Sequence, residues 1–413
     1  MGLGGPVLAS VRTEAPPYDT RPVAPTVRTL RTVVDGDFRR LPVLDMAGAS
    51  RLEISFDVMG DERAYLAYSV VHCDHNWQPD GLPQLDYAEG FMPVRVEEAR
   101  PSFNTFVGYW HYSVTFPNDD VRLLASGNYA VLFHAEDDPD DVWAVATFGI
   151  SEQMAVVEGT VSANTDVDYR AAHQQLTLAL AWSGSRLPYL DAASDVTLTV
   201  EQNRQPYTRR TLTAPSRLGA QRAHYEHDPR LVFEAGNTWR RFEFVDERYA
   251  TLGVENVRYH APYHHVRLHT SRPRARVPYY YDEDQQGRFL ITAKRVDDPD
   301  TEADYFWAQF VLDMMPTGTP IYLSGDFTYG LQDDETEMRY DEETEAYTAE
   351  ILLKQGAYNY RYVTLRPDGT PSTEAVEGNH YETRNEYDVR AYYHPAGARY
   401  ERLLTTATFS SQP

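Results

Sequence analysis

The chain has 413 residues, a formal net charge of −24 and a single cysteine, Cys73. A surface this acidic repels phosphate backbones and anionic lipid head groups, which argues against nucleic-acid binding and unassisted membrane adsorption. One cysteine excludes an intrachain disulfide, and no apolar run approaches the ~18 residues that a membrane-spanning helix needs. Only two of the 38 basic residues, Lys294 and Lys354, are lysines.

Residues 1–10 end like a signal peptide, but they lack a basic beginning and their apolar stretch is too short. One interpretation is that they are the remainder of a leader whose true start lies upstream. No signal peptide is therefore evident in the printed start.

Apolar and polar residues alternate with a period of two along much of the chain, which is typical of half-buried β-strands. Turn-forming residues separate these runs, as at 117–120, 126–128 and 367–369. The alternating apolar positions are, in chain order, Leu52, Ile54, Phe56 and Val58; Trp110, Tyr112, Val114 and Phe116; Tyr129, Val131 and Phe133; Leu176, Leu178, Leu180 and Trp182; Val196, Leu198 and Val200; and Tyr358, Tyr360 and Tyr362.

Helical patterns are scarce, and only one helical turn is expected, around residues 171–175. Short strands spaced in this way favour antiparallel sandwiches over alternating β-α-β units. A strand ends near residue 152, and residues 271–278 are rich in proline and arginine. We therefore predict an all-β fold of tandem immunoglobulin-like, early-set type sandwiches, with domains at 1–152, 153–275 and 276–413.

The string His72, Cys73, Asp74, His75 contains four residue types that bind zinc. It follows a predicted strand at 64–71, where neighbouring side chains point to opposite faces. Four adjacent residues then cannot converge on one ion without a sharp turn, and no second ligand pair is obvious. We interpret the string as a strand that leads into a loop.

A second histidine group consists of His260, His264, His265 and His269. Its spacing of four would align ligands on a helix, but Pro262 disrupts that helix. A surface patch is the preferred interpretation. The chain also lacks a calcium loop, a phosphate-binding glycine loop and a nucleophile elbow. We predict no catalytic, cofactor-binding or metal-binding residue, and no enzymatic activity.

The region 321–363 resembles the early-set modules found beside glycogen- and starch-active enzymes, which hold sugar on exposed tryptophans and a lysine. Phe327 and Tyr329 fall where the first aromatic platform would be, but the second tryptophan is missing. A glycan-binding protein of the cell envelope is therefore kept as the alternative function.

Several strings in order resemble one family, the plug protein of the type IX secretion system. The longest are Tyr-Ser-Val-Val-His-Cys-Asp-His-Asn-Trp at 68–77 and Glu-Gly-Asn-His-Tyr-Glu-Thr at 377–383. Trp239 departs from the pattern, since the family more often has a charged residue there. The other strings are at 87–91, 102–105, 111–112, 116–118, 126–129, 201–204, 233–237, 353–356, 358–360, 385–387, 392–393 and 399–403.

The resemblance covers about residues 18–404. It implies a periplasmic, outer-membrane-associated protein that closes the periplasmic mouth of a very large outer-membrane β-barrel translocon. The implied partner is that barrel protein, with no nucleic acid, no direct membrane insertion, no cofactor and no small-molecule substrate. The turn-forming residues of the strings are interpreted as setting backbone conformation, and none is carried over as a functional site.

Overall fold

The computed structural model describes residues 17–411, and the regular secondary structure in this part of the chain is almost entirely β-strand. The all-β prediction is confirmed, whereas the immunoglobulin-like type stays a prediction. No helix within 17–411 is both long and apolar enough to cross a bilayer. The interpreted leader remnant, residues 1–10, lies outside the described residues.

The first sandwich packs two sheets over an aromatic-rich core that includes Phe56, Phe116 and Phe133. One of the two sheets contains a single parallel pair of strands, Val43–Asp45 and Asp138–Ser151. One sheet contains Val27–Val34, Leu52–Met59, Tyr109–Phe116 and Ala99–Pro101. The other contains Arg21–Pro22, Asp138–Ser151, Gly127–Ala135, Leu66–Cys73, Val94–Arg95 and Val43–Asp45. A two-stranded ribbon, Ala88–Glu89 with Arg122–Leu123, lies beside them.

The middle sandwich is built from two distant parts of the chain. Val196–Gln202 pairs along its length with Glu386–Tyr393, and Tyr387 and Val389 share the core with Leu198. One sheet contains Ala155–Ser162, His173–Trp182, Arg222–Tyr225, Arg217–Gly219 and Val232–Glu234. The other contains Arg210–Leu212, Val196–Gln202, Glu386–Tyr393 and Arg402–Ser410.

The third sandwich is a ten-stranded sheet that folds over its own core of Phe242, Phe306, Phe310 and Tyr358. Its strands are antiparallel except for the parallel pair Tyr263–Leu268 and Tyr305–Leu312. The strands are Arg240–Phe244, Gly356–Leu365, Ile321–Ser324, Glu337–Asp341, Ala346–Lys354, Tyr305–Leu312, Tyr263–Leu268, Val254–His260, Phe289–Ile291 and Pro371–Ser372.

The division into domains at 1–152, 153–275 and 276–413 stays a prediction. The boundaries between the sheets lie at other positions. Strands between 240 and 268 belong to the third sandwich, and strands after 386 return to the middle one. The proline- and arginine-rich segment is also not a free linker. Ser271 N donates to Val311 O at 2.8 Å, and Arg274 N donates to Val376 O at 2.6 Å.

Helices within 17–411 are limited to single turns. The expected turn around 171–175 is wrong, because the strand His173–Trp182 already begins there and pairs on both sides. The helical turns are Gln84–Tyr87 and Pro299–Glu302, with 3-10 turns at Pro206–Thr208, Pro229–Leu231 and Asp326–Thr328.

Candidate functional site

An apolar loop on the first sandwich, residues 82–93, presents two large side chains to solvent. Leu85 is 85% exposed and Phe91 is 95% exposed. Isolated apolar residues are ordinary on a surface, but two on one short, well-anchored loop suit contact with another protein. We call residues 82–93 the apolar loop.

The apolar loop is held down by residues that alternate in sequence with the exposed ones. Tyr87 is buried, and its hydroxyl donates to Val70 O at 2.9 Å. Gln84 Nε2 donates across the loop to Gly90 O at 3.1 Å. Leu124 N donates to Tyr87 O at 2.8 Å. These bonds tie the middle of the loop to neighbouring strands and close the loop on itself, so its backbone is positioned in advance.

Gly90 allows the loop to approach the neighbouring chain closely. Its φ is +130°, and an added Cβ would lie 2.1 Å from Asp120 O. No other residue type fits that space, and a side chain would also be strained at this φ.

The polar rim of the loop is weakly paired. Asp86 forms an ion pair with Arg399 at 2.5 Å. Glu89 forms one with Arg122 at 3.7 Å, and the side chains of Glu89 and Arg122 are both well exposed. Exposed pairs of this kind contribute little stability. The arrangement, with apolar anchors and a charged rim, is that of a contact surface.

A second pair of exposed apolar residues, Phe103 and Phe106, lies where the first and third sandwiches meet. Phe103 N donates to Thr301 O at 2.9 Å, and Phe106 N donates to Asp304 Oδ2 at 2.8 Å. Burial, the largest influence, raises the pKa of Asp304 despite these bonds. The Phe106 ring lies 5.1 Å from that of Tyr259. Both phenylalanine side chains nevertheless remain largely exposed.

A buried charge network joins the first sandwich to the third. Lys354 Nζ donates to Asp57 Oδ2 at 2.6 Å, and the Tyr305 hydroxyl donates to the same oxygen at 2.7 Å. His111 Nδ1 donates to Asp57 Oδ1 at 2.7 Å. Lys354 Nζ also donates to Asp300 O at 2.6 Å. We call these five residues the buried charge network.

The electrostatics of the network follow from burial and close contact. Burial raises the pKa of Asp57, but Lys354 and His111 outweigh it and hold that pKa below its usual value. Burial lowers the pKa of Lys354 more than Asp57 raises it. Burial and then Asp57 raise the pKa of Tyr305 well above its usual value, so the phenol keeps its proton and donates. The network therefore holds the two sandwiches together through charged hydrogen bonds.

Polar contacts of the same kind join the middle sandwich to its neighbours. Arg288 of the third sandwich donates to Glu386 at 2.6 Å. Towards the first sandwich, the Tyr392 hydroxyl donates to Asn128 Oδ1 at 3.0 Å. The middle sandwich is thus joined to both neighbours by direct hydrogen bonds between side chains.

The structure sends His72, Cys73, Asp74 and His75 to different partners. His72 is buried and bonds Asp80 at 2.7 Å, while His75 bonds Glu401 of the middle sandwich at 2.8 Å. Asp74 Oδ1 accepts from the backbone of Asn76 and Gln78, which forms the turn. Burial raises the pKa of Cys73 to about 12, so this thiol is a core group.

The second histidine group lies on the hairpin Val254–His260 and Tyr263–Leu268. His264 is buried beside aromatic rings, and burial lowers its pKa. The His260 and His265 rings are 5.3 Å apart on the other face. Within residues 17–411 no cluster of three or more His, Cys, Asp or Glu side chains is arranged to hold a metal ion.

The aromatic residues that suggested a sugar platform are not displayed. Phe327 is buried and packs edge-on against Tyr358 at 5.6 Å. The Tyr329 hydroxyl accepts from Leu30 N of the first sandwich at 2.8 Å. Phe327 therefore packs within the core of the third sandwich, and Tyr329 packs against the first sandwich.

Sequence reasoning did not single out Leu85 or Lys354. Leu85 lies in a stretch with no period, and nothing in the sequence shows that it is exposed. The only signal at Lys354 was its rarity, because the chain has two lysines. The structure shows that this lysine is buried in a specific contact.

Comparison with known proteins gives two results. A family model described as "Type 9 secretion system plug protein 1st domain" matches residues 27–152, which include the apolar loop. A crystal structure of a hypothetical protein from Parabacteroides merdae ATCC 43184 superimposes with a TM-score of 0.93 at 34% identity, covering 96% of this chain and 100% of that one. No curated protein matches the chain.

Proposed function

Because the chain belongs to the type IX secretion system plug protein family, we propose that it is a non-enzymatic plug that reversibly closes the periplasmic opening of that system's large outer-membrane β-barrel translocon. The observation that supports this most is the apolar loop. It lies inside the range matched by the family model and presents Leu85 and Phe91 on an anchored backbone.

A plug must resist deformation, since a pore wide enough for folded cargo leaks around a flexible stopper. The buried charge network supports this requirement by fixing the first sandwich to the third. Specific docking of such a body should bury at least about 1,000 Å². Within that area, Phe91 and Leu85 would act as the central anchors and the charged rim would set orientation.

The plug acts in the periplasm at the outer membrane, and its partner is the translocon barrel protein. Reversible closure requires two states, bound at rest and released when cargo arrives, and cargo shifts their populations. The proposal includes no nucleic acid, no small-molecule substrate, no cofactor and no direct insertion into the bilayer.

Co-purification with a large outer-membrane barrel protein in mild detergent tests the proposal. We expect Phe91→Ser with Leu85→Ser to weaken retention at least tenfold, as the loss of about 2 kcal/mol at an interface anchor implies. Tyr189→Ser is the matched control, because Tyr189 is 89% exposed but lies on the middle sandwich. If wild-type protein retains no barrel protein, the plug role is refuted.

The consequence for the cell is tested by deleting the gene and measuring entry of large antibiotics across the outer membrane. Deletion should raise this permeability. The wild-type gene and the Tyr189→Ser gene should restore it, whereas the loop variant should not. Unchanged permeability after deletion would contradict closure of the opening.

The alternative of a glycan-binding envelope protein gains no support from the third sandwich. Phe327 is buried and Tyr329 bonds the first sandwich, so neither ring is free to stack on a sugar. Calorimetry with α-glucans distinguishes the two functions, and we expect no binding heat.

A further inference from the structure

A groove on the third sandwich stands out from the acidic character of the chain. Two adjoining hollows of about 220 and 450 Å³ share Arg240, Arg241, Arg274 and Val277 in their walls. Arg272 lines the second hollow. We call the combined hollow the basic groove.

The segment that forms one wall of the basic groove is fixed in place. Arg274 N and Ala275 N both donate to Val376 O, at 2.6 and 3.1 Å. Gly378 packs beneath them, where an added Cβ would lie 2.8 Å from the Ala275 Cα. The backbone of the arginine-rich stretch is thus anchored, and it forms a fixed wall of the groove.

The arginines of the groove outnumber the carboxylates that pair with them. Arg240 and Arg274 share the fully buried Glu377, with Arg240 Nε donating at 3.0 Å and Arg274 Nε at 2.8 Å. On the surface, Arg241 pairs with Asp282 at 2.9 Å. One carboxylate is thus shared by two of these arginines, and all three arginines line the groove.

Two further arginines lie towards solvent. Arg272 pairs with Asp313 at 3.1 Å but is 80% exposed in its side chain. Arg276 is exposed and makes no ion pair within the described part of the chain. Four arginines line the groove, and Arg276 directly precedes the lining residue Val277, so that five arginines stand against three paired carboxylates in a chain of net charge −24.

Exposed apolar and aromatic side chains border the same groove. Val277 and Tyr280 line it and are both exposed. Arginine beside tyrosine is the composition that dominates protein recognition sites, because the guanidinium binds a carboxylate through two bonds and the ring adds contact area.

We propose that the basic groove is a second docking site that binds an acidic segment of a polypeptide partner, with carboxylates on Arg241, Arg272 and Arg276 and an apolar or aromatic side chain against Val277 and Tyr280. The site does not depend on the plug role. An anionic bilayer is disfavoured as the occupant, because an extended plane would also approach the acidic remainder of the surface, whereas a narrow segment enters the groove alone.

The test measures fluorescence anisotropy of a labelled peptide of alternating glutamate and tyrosine with the full-length protein. We expect binding that weakens as salt rises, and no binding of a glutamine–tyrosine peptide, which lacks the carboxylates. Arg272→Glu with Arg276→Glu should weaken binding about tenfold or more. Arg217→Glu is the control, since Arg217 is also well exposed, at 65%, and weakly paired, but lies on the middle sandwich.

Thermal unfolding should be the same for the three proteins, because the substituted arginines lie on the surface. Equal affinity of the double variant and the wild type would overturn the proposal, as would failure of the acidic peptide to bind. Phosphatidylglycerol vesicles supply the remaining comparison. Arginine-dependent binding to vesicles without binding of the peptide would assign the groove to lipid and overturn docking of a polypeptide.

Discussion

Substitution of Lys354 by methionine tests the buried charge network directly. The variant keeps most of the side-chain volume but removes the ammonium that lies 2.6 Å from Asp57 Oδ2 and 4.2 Å from the centre of the Tyr109 ring. Asp57 would then retain only His111 and the Tyr305 hydroxyl as donors. A buried charge that loses its partner in this way costs about 3–5 kcal/mol.

We expect the variant to lose about 4 kcal/mol of unfolding free energy, towards the middle of that range, because two other donors still bond the carboxylate. Chemical denaturation at neutral pH, followed by tryptophan fluorescence, measures the loss. Arg122→Met is the control for an ordinary ion pair, since Arg122 and Glu89 are 77% and 69% exposed in their side chains. That control should lose less than about 1 kcal/mol.

The double variant Asp57→Asn with Lys354→Met removes both charges. It should be more stable than Lys354→Met alone, because the desolvated carboxylate no longer lacks its cation. A loss below about 1 kcal/mol for Lys354→Met would refute the argument that the network joins the sandwiches. So would a loss in the double variant equal to the sum of the losses in Asp57→Asn and Lys354→Met measured singly.

Two further predictions concern the apolar loop and the basic groove. Gly90→Ala should lower stability by about 2 kcal/mol and weaken partner binding. The control is Gly36→Ala, because Gly36 has a φ of +74° and no atom within 4 Å of the added Cβ, and it should lose clearly less stability in thermal unfolding. Equal losses would contradict the steric account. Burial raises the pKa of Glu377, but Arg240 and Arg274 outweigh it and lower that pKa to about 2. Ionised Glu377 therefore contributes on the order of 3 kcal/mol to the free energy of unfolding. This contribution is complete above the ordinary pKa near 4.5 and is lost as pH falls from there towards about 2. Glu377→Gln should flatten the fall in stability between about pH 5 and 3, and an unchanged slope would argue against the pairing.

Local patterns predicted individual strands well, because the period of two depends only on neighbouring residues. The run at Leu52, Ile54, Phe56 and Val58 became the strand Leu52–Met59. The same strand shows the limit of the pattern. Its polar residue Asp57 is buried, since the outer face packs against the third sandwich. No neighbouring residue reports that contact.

The candidate sites depended on long-range arrangement and were harder to foresee. Asp57 and Lys354 are 297 positions apart in the chain, and only the fold brings them together. His72 and His75 attracted attention as ligands because they are close in sequence, yet they bond partners 8 and 326 positions away. Phe91 was visible within a family string, but its exposure was not.

The return of Glu386–Tyr393 to the middle sandwich has a consequence for biosynthesis. Val196–Gln202 leaves the ribosome long before its pairing strand, with the whole third sandwich translated between them. Until translation passes Glu386–Tyr393, the edge of Val196–Gln202 that faces away from Arg210–Leu212 has no strand to pair with. The nascent chain therefore exposes an open sheet edge for almost half of its synthesis, and chaperones that shield such edges would act at this stage.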